Sequence, residues 1–153
     1  MMKVYFSASL SRYRKLLPLT KDIASIIEDL GHEVASRHVT SEETTNGNWE
    51  EKYDPKRLFE REMRRLASSN ILITEATTPS FGAGFLIQSA IALGKPILTL
   101  HYGIEEKNAP LMLRGHSSVN LQMYTEENIR PLLEKFFRSI SKELVIPLED
   151  FDQ

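Results

Sequence analysis

The run Glu75-Ala76-Thr77-Thr78-Pro79-Ser80-Phe81-Gly82-Ala83-Gly84-Phe85 joins a strand-like apolar segment to a helix through a Ser/Gly-rich turn. In an open α/β sheet such a turn is where the ligand sits. Glycines let the backbone come close to a bound group, and the free N–H groups of a helix N-terminus seat an anion such as a phosphate. The helix continues Leu86-Ile87-Gln88-Ser89-Ala90-Ile91-Ala92-Leu93, with no acid, base or nucleophile where a reacting group would be expected.

Composition narrows the chemistry. The 153 residues suit one domain, which at that size buries roughly 70% of its unfolded surface. The absence of cysteine rules out disulfides, thiolate catalysis and Cys-based zinc sites. His32, His38, His101 and His116 lack metal-ligand spacing, so neither a metal nor a cofactor is expected. With 19 Lys and Arg against 21 Asp and Glu the net charge is −2, which offers no field for nucleic acid or an anionic membrane. The N-terminus enters strand-like sequence without a signal-peptide pattern, and no apolar run reaches the ~18 residues of a membrane span. A soluble cytoplasmic protein is therefore expected.

The elements that must position the turn follow from periodicity. Lys3 to Ala8 reads as a first strand, rich in β-branched and aromatic residues, followed by polar Ser9, Ser11 and Arg12. A helix runs to Leu30, with Leu19, Ile23, Ile26, Ile27 and Leu30 at helical spacing, Pro18 in an early turn and Gly31 as its stop. His32 to Val39 reads as a second strand, and Thr40 to Tyr53 as a polar surface loop able to cover a site. Asp54-Pro55 starts a helix that extends to about Ser68. Ile71 to Thr74 is a third strand, Gly82 to Leu93 a buried helix, Pro96 to Leu100 a fourth strand and Val119 to Met123 a fifth. Thr125-Glu126-Glu127 caps a last helix with Ile129, Leu132, Leu133, Phe136 and Phe137 on one face. Residues 1–141 form the domain and 142–153 a tail.

Alternating βα units with short apolar strands predict a single-domain α/β fold, a flavodoxin-like doubly wound sheet of five parallel strands. Right-handed crossovers then gather Ser7, Ala8, Ser9, Glu75 to Gly84 and His101 around one crevice. Three familiar alternatives do not fit. The first turn is Ser7-Ala8-Ser9 rather than G-x-G-x-x-G, with the glycine pair only after the third strand. No G-x-x-x-x-G-K-[ST] is present, and no acidic residues follow the first strand as a receiver domain requires.

On these residues the chain resembles the nucleoside 2-deoxyribosyltransferases and, more closely, the 2'-deoxynucleoside 5'-phosphate N-hydrolases. Val4 to Ser9 is similar to that family's first strand and turn, His38 to its second-strand histidine, and Glu75 to Phe85 to its E-V-T-x-P-S-L-G-V-G-Y segment. Leu111-Met112-Leu113-Arg114-Gly115 resembles a further helical segment ending in Arg-Gly. The resemblance spans roughly residues 3 to 140.

It implies cleavage of an N-glycosidic bond with retention, by a glutamate early in the third helix that attacks the anomeric carbon. The matching position here is Leu86, which cannot attack, ionise or hydrogen-bond. The family's second-helix aspartate matches Glu62, one methylene longer. Tyr5 matches its active-site tyrosine, Ser80 with Gly82 and Gly84 its phosphate-binding turn, and Ser9 another site serine. The serine presented to a neighbouring subunit's phosphate matches Pro110, which has no donor, while Arg114 remains as a cationic contact. The resemblance also implies a homo-oligomer, in keeping with a third helix that is apolar nearly all round.

Each residue also has a plainer reading. Tyr5 and His38 can be core residues, Ser80, Gly82 and Gly84 can build a tight turn, and Glu62 can belong to a solvated ion-paired face in Arg61-Glu62-Met63-Arg64-Arg65. The expectation is a nucleoside- or nucleotide-binding relative impaired in catalysis. The alternative is an active transferase or N-glycosidase in which Glu75 or Glu62 replaces the missing nucleophile. A third reading has the crevice filled by apolar side chains.

Overall fold

The computed structural model describes residues 1–9, 16–40 and 53–143. Ser11 and Arg12, the interior of the loop between Thr40 and Tyr53, and the tail after Glu143 lie outside the described residues. In chain order the elements are β1 (Lys3–Ala8), α1 (Leu17–Asp29), β2 (Glu33–Val34), α2 (Pro55–Ser68), β3 (Ile71–Glu75), α3 (Phe81–Ala92), β4 (Ile97–Tyr102), α4 (Leu111–Gly115), β5 (Leu121–Tyr124) and α5 (Ile129–Glu143). The strands form one five-stranded parallel sheet in the order β2-β1-β3-β4-β5. This is the expected doubly wound arrangement.

Side chains alternate across a strand, and that alternation decides what can reach the crevice. Val4, Phe6 and Ala8 of β1 and Ile71 and Ile73 of β3 face one way, into a core with Ile23 and Ile27 of α1 and Leu133 and Phe137 of α5. Tyr5 and Leu72 face the other way, against Leu66 of α2 and Ile87 and Ala90 of α3. Both layers bury large side chains completely, each contributing about 1.5–3 kcal/mol.

The helix boundaries follow the expected chemistry. At the end of α1, Gly31 adopts φ +84°, a backbone that L side chains rarely take, so its N–H can bond the Glu28 carbonyl at 2.9 Å. Asp54 caps α2, its carboxylate accepting the Arg57 N–H at 2.9 Å, and Pro55 occupies the first helical position. Two strands are shifted. β4 reaches Tyr102, held in register with Tyr124, and β5 starts at Leu121 because Asn120 sits at φ 45°, which breaks the extended run.

The second strand is shorter than expected. Only Glu33–Val34 pair with β1. Ser36 is fully buried and turns its hydroxyl onto β1, accepting the Phe6 N–H at 2.9 Å and donating to the Phe6 carbonyl. A side chain thereby replaces the backbone ladder, and the chain winds into a 3₁₀ turn over Arg37–Thr40 that carries His38.

The helix expected to be buried is buried on one side only. Ala83, Ile87 and Ala90 of α3 face the sheet, whereas Phe81 is fully exposed and Phe85 and Leu93 more than half exposed. A uniformly apolar sequence carries no information about which side meets the sheet. Phe85 packs edge-on against Phe59 of α2, with ring centroids 5.8 Å apart. Among the described residues no helix is long and apolar enough to cross a membrane.

Under α3, the buried Thr74 and Thr99 hydroxyls and the Nδ1 of His101 have no hydrogen-bond partner among the described residues. Thr99→Val therefore sacrifices no bond and relieves a desolvated hydroxyl. It is expected to raise the stability by about 1 kcal/mol, measured by urea denaturation. A destabilised variant would show that the hydroxyl is satisfied.

Candidate functional site

A cavity of about 360 Å³ opens at the carboxyl ends of β1 and β3, between α2 and the first turns of α3. β1 supplies Tyr5 and Ser7 by its period of two, and Ser9 follows at the rim. The 3₁₀ turn adds His38 and Val39, α2 adds Leu58 and Glu62, and the start of α3 contributes Ser80, Gly82 and Leu86. The crevice is thus an open space with walls of mixed polar and apolar character, not one filled by apolar side chains.

Glu62 organises its floor. Leu58, Glu62 and Leu66 recur every fourth residue and share the face of α2 that turns inward; Leu66 is fully buried and the Glu62 side chain is only 13% exposed. The Tyr5 hydroxyl donates to Glu62 Oε2 at 2.5 Å. Glu62 Oε1 accepts from Arg61 Nε at 2.8 Å and Arg65 Nη1 at 2.9 Å. His38 Nε2 lies 3.8 Å from Oε2, and Arg65 Nη1 is 3.4 Å from His38 Nδ1. Arg61 also sits 5.0 Å over the ring of Tyr53.

These contacts set the charge states. Burial pushes the Glu62 carboxyl up, but the Tyr5 hydroxyl, the His38 imidazole and the Arg61 and Arg65 guanidinium groups outweigh it and hold the carboxyl below the usual range. Burial, reinforced by the neighbouring carboxylate, drives the Tyr5 phenol far up. Near neutral pH the pair is a neutral donor and an ionised acceptor. Glu62 is suited to accept a hydroxyl or to stabilise adjacent positive charge, but not to act as a general acid. Its use as a nucleophile would first require breaking the bonds that occupy both oxygens.

The opposite wall is the start of α3. Ser80 caps the helix, accepting the Ala83 N–H at 3.3 Å, and it borders the cavity together with Gly82. The first N–H groups of a helix have no partner within it. Neither Gly82 nor Gly84 has a left-handed backbone. A Cβ on Gly82 would meet only the Ser80 hydroxyl at 3.7 Å, and one on Gly84 nothing within 4 Å. Since glycine costs about 1 kcal/mol against alanine in a helix, tight turn geometry does not account for the pair. Leu86 lies one turn beyond Gly82 on the same face and borders the cavity.

Four expected site residues are placed elsewhere. Gly84 is exposed on α3 and does not border the cavity. Glu75 follows the alternation of β3 to the opposite face of the sheet, where it is 2% exposed and bonded to Thr77 and to the Tyr124 hydroxyl at 3.2 Å. It cannot replace a nucleophile in this cavity. His101 is buried under the α3 side of the sheet but does not border the cavity, and Arg114 is exposed on α4, away from it within one chain. Sequence reasoning treated Arg61 and Arg65 only as members of a solvated face. The available signal was Glu62 standing inside the Leu58/Leu66 stripe, which marks a buried carboxylate in need of cations.

Fold and site together define a doubly wound α/β protein with a cavity of mixed polar and apolar lining at the carboxyl ends of its strands. Over 146 residues the chain is 30% identical to 5-hydroxymethyl-dUMP N-hydrolase of Esox lucius, covering 93% of this chain and 100% of the relative. It is 32% identical over 122 residues to a protein assigned as a 2'-deoxynucleoside 5'-phosphate N-hydrolase in Methanococcoides burtonii, covering 80% and 97%. No family model matches the chain. Two solved structures share the fold. CMP N-glycosidase of Clostridium botulinum gives a TM-score of 0.55 at 20% identity, over 88% of this chain and 98% of that one. The 2-deoxyribosyltransferase of Bacillus psychrosaccharolyticus gives 0.56 at 18% identity, over 84% and 90%. The chain belongs to the family of the 2'-deoxynucleoside 5'-phosphate N-hydrolases.

Proposed function

We propose that this chain binds a nucleoside 5'-monophosphate in the cavity and holds it without cleaving its N-glycosidic bond. The observation that carries the reading is Leu86, a side chain without a lone pair that borders the cavity at the position matching the family's nucleophilic glutamate. In the family reaction a carboxylate oxygen bonds to the anomeric carbon as the C–N bond pair leaves with the base, and water then hydrolyses the ester. Leucine cannot form that bond.

The rest of the site supports binding. Ser80 and the N-terminus of α3 suit the phosphate, Tyr5 and Glu62 suit the sugar hydroxyls, and Ser7, Ser9 and His38 line the remaining wall. An active enzyme using Glu62 is the second reading; the four groups already engaging that carboxylate weigh against it.

Exposed Phe81, Phe85, Leu111 and Met112 support a homodimer in which Arg114 approaches a neighbouring copy's site, while Pro110 has no donor to offer. The cysteine-free composition supports a cytoplasmic location, and residues 1–141 are read as the binding unit.

Calorimetric titration with matched nucleosides and 5'-monophosphates, both deoxy and ribo, tests the reading. At least one monophosphate is expected to bind tenfold or more tightly than its nucleoside, since charge-assisted bonds to a phosphate are worth about 1.5–3 kcal/mol. Absence of binding by every monophosphate would overturn it.

A further inference from the structure

We propose that Glu75, acting through Thr77, is a positioning residue that sets the Ser80 anion cradle from the opposite face of the sheet. The proposal rests on the reading of the cavity as a phosphate-binding site.

Glu75 is a buried carboxyl that the site chemistry does not use. Its Oε1 collects three donors: the Thr77 N–H at 3.3 Å, the Thr77 hydroxyl, and the Tyr124 hydroxyl at 3.2 Å. Thr77 Oγ1 in turn accepts the Tyr102 N–H at 2.8 Å, and the Ala76 N–H bonds the Leu100 carbonyl at 2.8 Å. The start of the β3–α3 turn is therefore clamped between β3 and β4 at the level where both strands end. Only Thr78 and Pro79 separate that clamp from Ser80, and the proline ring fixes its own φ. A shift of Thr77 consequently reaches the cap of α3 with little slack to absorb it.

Besides the turn, the fully buried Tyr124 hydroxyl also draws on this carboxylate, a need that a single acceptor oxygen of any kind would meet. Burial pushes the Glu75 carboxyl above its ordinary range despite the bonds from Thr77 and Tyr124, whereas the neighbouring positions of that core layer are occupied by aliphatic residues such as Ile71 and Ile73. An unfavourably buried acid that gathers three donors on one oxygen is explained by the geometry it imposes on the turn. A binding constellation needs such support to hold its groups within a fraction of an ångström.

The test uses 2-deoxyribose 5-phosphate, which carries the sugar and phosphate but no base, with 2-deoxyribose as comparator, both titrated by NMR. Thr77→Val removes the hydroxyl that links Glu75 to the Tyr102 N–H; Thr77→Ser retains it. Thr77→Val is expected to weaken binding of the sugar phosphate about tenfold while leaving 2-deoxyribose within twofold, and Thr77→Ser to restore the phosphate affinity. Glu75→Ala, which removes the acceptor that anchors Thr77, is expected to weaken binding of the sugar phosphate to the same extent as Thr77→Val, and wild-type phosphate affinity in it would overturn the proposal. Wild-type phosphate affinity in Thr77→Val, or equal loss of both ligands, would overturn the proposal. If the wild-type chain bound neither probe, the reading of the cavity itself would fall, and this proposal with it.

Discussion

Leu86→Glu is expected to convert a chain that holds its nucleotide intact into one that releases the base. Removing a covalent nucleophile from an enzyme commonly costs on the order of 10⁴–10⁶-fold in rate, so restoring one to an otherwise intact site is expected to gain at least about 10³-fold over wild type. Recovery stops short of the full factor because the surroundings are fitted to leucine: Leu86, like Met63 and Leu113, packs against the core formed with Leu66, Ile87 and Ala90, and burial there opposes a carboxylate. Leu86→Gln is the control, matching the size of glutamate without its nucleophilic oxygen, and is expected to remain inactive. Base release under single-turnover conditions checks the series; a wild-type rate equal to that of Leu86→Glu would contradict it.

Glu62→Leu is the substitution with the largest expected effect on stability. It leaves Arg61, Arg65 and the Tyr5 hydroxyl facing an aliphatic side chain. Breaking a buried ion pair costs about 3–5 kcal/mol, but the Arg61 and Arg65 side chains are 31% and 35% exposed and recover part of that from water. A loss of about 2 kcal/mol at neutral pH is expected. The sign with pH follows from the lowered carboxyl. Its contribution is fully present above the ordinary carboxylate range and is lost as the pH falls through the depressed folded value. The difference between wild type and variant should therefore shrink in acid. Urea denaturation at neutral and acidic pH measures it, and a difference independent of pH would mean that packing, not charge, holds Glu62 in place.

Much of this molecule was legible where the signal is local. The Val4-Tyr5-Phe6 run within Lys3–Ala8, the Asp54-Pro55 helix start and Gly31 as a helix stop act within a few residues, and the structure places them as read. The strand order followed from the βα alternation. What escaped was long-range or directional. Ser36 ends the second strand by bonding Phe6, thirty residues away, and no window around His32 to Val39 contains that partner. Glu62 meets Tyr5 across 57 residues, so its ion-paired neighbours resembled a solvated face. Glu75 illustrates direction: its place at the end of β3 was correctly read, but the face was not, although it shares the odd-numbered side of that strand with core residues Ile71 and Ile73.

The central claim is that nucleotide binding persists without bond cleavage, and proton NMR of the wild-type chain incubated with nucleoside 5'-monophosphates tests it most directly. The expected result is broadening of nucleotide resonances with no free-base signals over a period in which Leu86→Glu turns over. Free base from the wild-type chain at a rate matching that variant, or unperturbed lines for every monophosphate, would contradict it.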